Sequence, residues 1–382
     1  MNIEGTIPYG RQAIDEDDIA AVVEVLRSDW LTTGPAVAEF ETALAAKVDA
    51  KHAVVFANGT AALHATMAVA NIGTGDTVVT SPLSFAASAN CARYVGADVG
   101  FVDIDPSTWN MDMHAIPRCD ALVAVHYAGL PCDLNELSFR PRVVVEDACH
   151  ALGARTPFGP VGNCAHSDMT VFSFHPVKSI TTGEGGAVTT NSDEYATALR
   201  RFRSHGSVNC PQYGGWYYEM ETLGFNYRMT DMQAALGRSQ LGKLGNFVAL
   251  RNALADRYRR QFRDRGLPGL VLPPSAPAGS RHAHHLFPVL VDERRRVYDD
   301  LREAGIGVQV HYVPIYRHPT YASSGVSVLD FPMTEHVYGG LLSLPLFPTM
   351  TTGQQDRVIE AVVASVSAST GRSSRDAAGI AA

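Results

Sequence analysis

The stretch Val171-Phe172-Ser173-Phe174-His175-Pro176-Val177-Lys178-Ser179-Ile180-Thr181-Thr182-Gly183-Glu184-Gly185-Gly186-Ala187-Val188-Thr189-Thr190 opens as an apolar strand, breaks at Pro176 and becomes a strand again at Ala187. Proline cannot donate into a sheet ladder, and Gly183, Gly185 and Gly186 relax the backbone or let another group come close. Lys178 is thereby held in a Ser/Thr/Gly-rich loop, fixed at both ends, at the edge of a sheet. An amine held in this way suits Schiff-base chemistry. A solvated lysine in a hairpin satisfies the same pattern, since lysines are mostly exposed, so the rest of the chain has to decide.

Outward from this stretch, strands and helices alternate. His52–Phe56 reads as a strand followed by a helix at Thr60–Asn71, and Thr77–Thr80 as a strand followed by a helix at Ser84–Val95. Apolar runs recur at Val99–Val102, Ala121–Val125, Val143–Val145, Met169–Phe174 and Ala187–Thr190. Continuous Val-rich runs separated by helices predict an α/β fold with a mostly parallel sheet buried on both faces. Two helices precede the sheet. Asp15–Ser28 has an acidic first turn, with Ile19, Val22, Val23 and Leu26 at helical spacing; Ala36–Val48 follows the loop Trp30–Pro35.

Around Gly242–Phe247 the pattern changes. A polar-faced helix at Phe247–Arg265 leads through a Pro/Gly/Ser loop to a strand at His285–Val291, a helix at Arg294–Ala304, a strand at Val308–Val310 and a helix at Gln354–Ser367. The expectation is an N-terminal arm with a large domain over 1–245 and a smaller C-terminal α+β domain over 246–368. The tail at 369–382, rich in Ser, Ala and Gly, is expected to be disordered.

With 46% apolar and 18% charged residues, the 382-residue chain has the composition of a soluble globular protein. A formal charge of −8 with no block of Lys or Arg argues against a nucleic-acid or anionic-membrane surface. Met1-Asn2-Ile3-Glu4-Gly5 shows no basic segment leading into an apolar run, so no signal peptide is expected. No apolar stretch approaches the roughly 18 residues that span a bilayer. The six cysteines form no CxxC pair, which fits reduced, buried thiols in a cytoplasmic protein.

Several residues could carry chemistry. Asn58-Gly59-Thr60 follows the first sheet strand and opens a helix, where free N–H groups and a hydroxyl make a phosphate site; an ordinary helix cap reads the same way. There is no GxGxxG there, which argues against a dinucleotide fold. Val143–Val145 runs into Glu146-Asp147-Ala148-Cys149-His150, and ligands of open α/β sheets sit at the carboxyl ends of strands. Asp147 can hold a ligand nitrogen protonated or cap the next turn, and His150 can be a core histidine or a partner of a cofactor oxygen. Phe85 can stack on a planar ring or fill the core. The tract His282-Ala283-His284-His285 lacks a Cys or carboxylate at ligand spacing, so no metal is expected. Jointly, a phosphate cradle, a ring platform, a carboxylate and an amine, each after a different strand, are the parts list of pyridoxal 5′-phosphate (PLP), an electron sink.

These motifs resemble the DegT/DnrJ/EryC1/StrS sugar aminotransferases, of the aspartate-aminotransferase-like PLP-dependent transferase fold type I. The likeness runs from Trp30-Leu31-Thr32-Thr33-Gly34-Pro35 to Ser343-Leu344-Pro345-Leu346-Phe347-Pro348. Within the family, Ser173–Lys178, Ile180–Gly186 and Val310–Tyr316 look closest to the nucleotide-sugar C4 transaminase of pseudaminic acid synthesis. Glu146–Ala151 and His126–Gly129 are similar also to the 4-amino-4-deoxy-arabinose transaminase.

The resemblance implies Lys178 as the lysine that binds PLP covalently, Asp147 as partner of the pyridinium N–H, and His150 beside the phenolic oxygen. It implies Gly59, Thr60 and Ser173 at the phosphate, Phe85 stacked on the ring, and Asn226 reaching the phosphate of a neighbouring subunit in a homodimer with composite sites. Substrate contacts are implied at Tyr9, Thr32, Arg228, His311 and Tyr312. The implied reaction is ping-pong transamination, with L-glutamate as donor and a 4-keto-6-deoxy nucleotide sugar as acceptor. The UDP-linked N-acetylated hexose is favoured over a UDP-keto-pentose or a dTDP-sugar. A sugar dehydratase of the same fold carries histidine where Lys178 stands, and a non-catalytic PLP-binding sensor remains a rival. Met113–Asp120 and Asp133–Arg142 look shorter than usual in the family, which predicts trimmed helices on that face.

Overall fold

The computed structural model describes residues 5–379, the side chains of 322–324 and 369–379 excepted. Seven strands form the central sheet: β1 (His52–Phe56), β2 (Thr77–Thr80), β3 (Asp98–Phe101), β4 (Ala121–Val125), β5 (Val143–Asp147), β6 (Met169–Ser173) and β7 (Gly186–Thr190). Their spatial order is β1-β7-β6-β5-β4-β2-β3. β2 to β6 pair in parallel, and β7 alone runs against both neighbours, β6 and β1.

The helices are α1 (Glu16–Arg27), α2 (Pro35–Val48), α3 (Gly59–Val69), α4 (Ala87–Tyr94), α5 (Asp193–Phe202), α6 (Asp231–Arg265), α7 (Arg294–Glu303), α8 (Pro332–Gly340) and α9 (Thr352–Gly379). β1 shows why the strands are apolar throughout. Val54 and Phe56 pack with α3 and α5, while Ala53 and Val55 point the other way, into a cluster with Phe40 and Leu44 of α2 and Leu244 of α6. Successive side chains of a strand face opposite sides, and here both sides are covered by helices.

Among the described residues, the chain between β3 and β5 contains no α-helix. Met111, Met113, Ile116, Cys132 and Leu134 from the connecting loops pack instead on Leu122, Ala124 and Val144. Two 3-10 turns, Tyr127–Gly129 and Leu134–Glu136, stand where a crossover helix would lie, as the short segments predict.

Three differences from the sequence reading have physical causes. α6 is 35 residues long and starts at Asp231, well before Phe247, with Thr230 and Gln233 forming a capping box. It runs unbroken through residue 245, where the sequence reading places the domain boundary. Val308–Val310 is not a strand: only Gln309 bridges Ser343, and Ile306 bridges Ile7 of the N-terminal arm. The last helix continues to Gly379, through most of the segment expected to be disordered; residues 380–382 of that segment lie outside the described residues.

Past α6, strands Leu270–Val271, Phe287–Val291 and Leu341–Leu344 form an antiparallel sheet. Ala255, Tyr258 and Phe262 of α6, Leu301 of α7, and Val358 and Val362 of α9 bury its apolar residues, and Ile7 of the arm joins this cluster. Arg251 of α6, almost fully buried, donates to the carbonyls of His284, His285 and Leu346 and, at 3.4 Å, to that of Val177 in the lysine loop, which ties the two halves together.

Candidate active site

The carboxyl ends of β1, β5 and β6 open on one cavity of about 900 Å³. Gly59, Thr60, Phe85, Asp147, His150, Ser173, Lys178, Tyr9, His311 and Tyr312 all line it. The chain has four lysines, Lys47, Lys51, Lys178 and Lys243. Lys51 pairs with Asp193 and Lys243 with Asp15 and Asp18; Lys178 is the lysine that reaches the cavity.

The turn that presents Lys178 is fixed by backbone bonds. Phe174 donates to the Gly185 carbonyl at 2.8 Å, Thr182 donates to Phe174 at 3.0 Å and Lys178 donates to His175 at 2.9 Å. A Cβ on Gly186 would lie 2.5 Å from the Asn58 carbonyl, so only glycine lets β7 run this close to the turn after β1. Burial pushes the Lys178 amine below its ordinary value, against the opposing pull of Cys149 and Asp147.

At the phosphate-sized end, the Asn58 side chain accepts the Ala61 amide at 2.8 Å. The N–H groups of Gly59 and Thr60 are left without an intrahelical partner at the start of α3. A Cβ on Gly59 would sit 3.1 Å from the Ser173 Cβ and 3.3 Å from the Cys149 Sγ, so glycine keeps this cradle open. Opposite it, Asp147 is buried, its Oδ2 accepting the Ser88 hydroxyl at 2.7 Å and its Oδ1 the Cys149 amide at 3.2 Å.

His150 is buried beside His285, ring centroids 4.3 Å apart, and its Nε2 lies 3.0 Å from the Tyr312 hydroxyl. Its Nδ1 is buried with no hydrogen-bond partner. Burial, then the charge of Lys178, holds the imidazole well below its usual range and therefore neutral. The Phe85 ring is 60% exposed, open toward the cavity it lines. Beneath the site, the Cys132 amide donates to His126 Nδ1 at 3.0 Å, so the ring proton sits on Nε2 and is donated to Glu146 at 2.7 Å. Burial works against the Glu146 carboxylate, but the hydrogen bonds from His126, Ser167 and Thr170 outweigh it and hold its pKa below the ordinary value.

A cradle with free amides, an open aromatic face, a buried carboxylate, an unpartnered imidazole nitrogen and one amine fit PLP in size and chemistry. Three of the implied site residues do not line this cavity. Thr32 bridges Thr230, Asn226 bridges Ser204, and Arg228 follows two residues later. Conversely, Ser88, Tyr227 and His285 line the cavity although sequence reasoning passed over them. Ser88 falls one helical turn after Ser84, a spacing that marks a shared face. Within the histidine tract the His284 amide donates to His282 Nδ1 at 2.8 Å, and the two rings stack with centroids 3.9 Å apart.

Residues 12–363 match the model of the DegT/DnrJ/EryC1/StrS aminotransferase family. The chain belongs to that family. The aminotransferase is 38% identical to the spore coat polysaccharide biosynthesis protein SpsC of Bacillus subtilis, over 93% of this chain and 96% of SpsC. It superposes on the putative sugar aminotransferase Spr1654 from Streptococcus pneumoniae in its PMP form with a TM-score of 0.88 at 28% identity, covering 94% of this chain and 99% of the other. PseC of Helicobacter pylori, an aminotransferase involved in the biosynthesis of pseudoaminic acid, gives a TM-score of 0.87 at 30% identity over 95% of this chain and all of PseC. The enzyme is a PLP-dependent aminotransferase with the type I fold. No helix among the described residues is long and apolar enough to cross a membrane.

Proposed function

We propose that the enzyme transfers an amino group from L-glutamate to a 4-keto-6-deoxy nucleotide sugar, a UDP-linked N-acetylated hexose, giving a 4-amino-4,6-dideoxy nucleotide sugar. The observation that carries this reading is the cavity itself. Besides Asp147 and Lys178, its 900 Å³ are lined by the rings of Tyr9, Tyr94, Phe225, Tyr227, His311 and Tyr312. Aromatic faces and hydroxyls of this kind suit a sugar and its nucleotide. The likenesses to SpsC, whose name places it in polysaccharide biosynthesis, and to PseC point the same way.

Bound PLP supplies the electron sink for a carbanion next to nitrogen. The protein's residues do the rest. Lys178, its amine made less basic by burial, is available to take the proton from the α-carbon of the donor and return one later. Gly59, Thr60 and Ser173 would hold the PLP phosphate, Phe85 would cover its ring, Asp147 would meet the ring nitrogen, and His150 would meet the phenolic oxygen with its unpartnered side. Tyr9, His311 and Tyr312 border the sugar. Thr32, Asn226 and Arg228, outside this chain's cavity, are the residues a second copy would bring to it, which makes the working form a homodimer with composite sites.

The test is a substrate panel. The pyridoxamine form is mixed with UDP- and dTDP-linked 4-keto-6-deoxy sugars and with a UDP-4-keto-pentose, and the return of the PLP absorbance is followed. Fast return with the N-acetylated UDP hexose alone supports the proposal. Preference for the keto-pentose reassigns the substrate, and silence across the panel overturns the reading.

A further inference from the structure

Asp147 does not stand alone. Ser88 of α4, 1% exposed, lies with its Oγ 2.7 Å from Asp147 Oδ2, and the Oγ of Ser84, 5% exposed, lies 2.7 Å from the Ser88 Oγ. The direction of this chain of hydroxyls follows from its end. A carboxylate only accepts, so Ser88 donates its single proton to Asp147, and Ser84 must then donate to Ser88. Ser84 and Ser88 both line the cavity. The second carboxylate oxygen takes the Cys149 amide. The carboxylate plane is therefore set by two donors from different elements, the start of α4 and the end of β5.

We propose that Ser88, backed by Ser84, is the positioning residue for Asp147: the hydroxyl pair fixes which way the carboxylate points and leaves it one edge for the ring nitrogen of PLP. The inference rests on the reading that Asp147 meets that nitrogen. The other ionisable groups facing Asp147 are Cys91 on α4, Cys149 just after β5, Lys178 and Tyr312. Burial keeps both thiols and the phenol protonated by raising each of them. Lys178 is the one cation of the set, and it is committed to the cofactor in the holoenzyme. The serines are thus the neutral donors that orient the carboxylate.

The experiment uses holoenzyme loaded with PLP carrying 15N in the ring, and reads the ring-nitrogen chemical shift against pH together with the PLP dissociation constant. Ser88→Ala is expected to move the loss of the ring proton to lower pH by about one unit or more and to weaken PLP binding about ten- to a hundredfold, the worth of one hydrogen bond to a buried charged group. Ser88→Thr, which keeps the hydroxyl, is expected to restore both. Ser84→Ala is expected to shift them in the same direction by less, and it decides the matter if Ser88→Ala does not fold. Unchanged profiles in a folded Ser88→Ala variant overturn the proposal; so does an unshifted Ser84→Ala if that variant has to decide. Asp147→Asn separates the two claims. If it leaves the ring nitrogen unaltered, the placement of Asp147 is wrong; if it alters the nitrogen while Ser88→Ala does not, only the positioning role fails.

Discussion

Acid should weaken this fold through histidines that it keeps neutral. His282 and His284 are both about 6% exposed, stacked on each other, with Arg259 nearby as a further positive charge. Burial holds His282 well below its usual value of 6.5 and pushes His284 down to about 3. A histidine with a depressed folded pKa takes up its proton in the unfolded chain first. The stability it allows is thus fully present above 6.5 and is lost as pH falls below that value. Staying neutral in the fold, the His284 ring costs about 2 kcal/mol of stability by pH 5, and His282 adds to that cost. That is a large part of a total stability of roughly 5–15 kcal/mol. His150 and His285, also pushed well down by burial, add in the same direction. The assay is urea unfolding of the PLP-free protein at pH 8, 7, 6 and 5, at fixed protein concentration. His284→Gln should lose about 2 kcal/mol less than the native protein across that range. A stability that is flat down to pH 5, or a His284→Gln variant with the native slope, refutes the reasoning.

Other consequences can be checked independently. Lys178→Ala should lose turnover while still binding pyridoxamine phosphate, measured by absorbance after gel filtration, because the phosphate cradle is built elsewhere. Gly59→Val should abolish PLP retention and also lower the melting temperature of the PLP-free protein by a few degrees, since even its Cβ would crowd Ser173 and Cys149. Glu146→Gln places an amide where His126, Ser167 and Thr170 all donate. It should lower unfolding free energy by about 3 kcal/mol, read from urea midpoints, because a buried donor is left facing an amide nitrogen and the others lose a charged acceptor.

The strand ends that carry the site were legible because a parallel sheet buried on both faces leaves long apolar runs, and polar residues surface only where a strand stops. Asp147 ends one such run and Ser173 another, and Gly59 follows a third after two residues. The start of α6 was misread because Gly237, Gly242 and Gly245 look like breakers. Gly237 is glycine for another reason: a Cβ there would lie 2.7 Å from the Phe40 ring and 2.8 Å from the Thr182 methyl, so it serves close packing of α6 against α2 and the lysine loop. The capping pattern Thr230-x-x-Gln233 was the signal that outweighs those glycines. His285 was set aside with its neighbours because a histidine tract suggests metal or nothing. Only the fold shows that His282 and His284 turn toward each other while His285 turns toward His150. Likewise, no local pattern pairs Ser88 with a carboxylate 59 positions away.

The central claim is that Lys178 is the amine that engages the cofactor, and with four lysines in the chain it can be tested directly. The PLP-loaded enzyme is reduced with borohydride, digested, and mapped by mass spectrometry. The pyridoxyl mass should fall on the peptide containing Lys178, at close to one per chain. Label on Lys47, Lys51 or Lys243, or none retained after denaturation, would contradict the account.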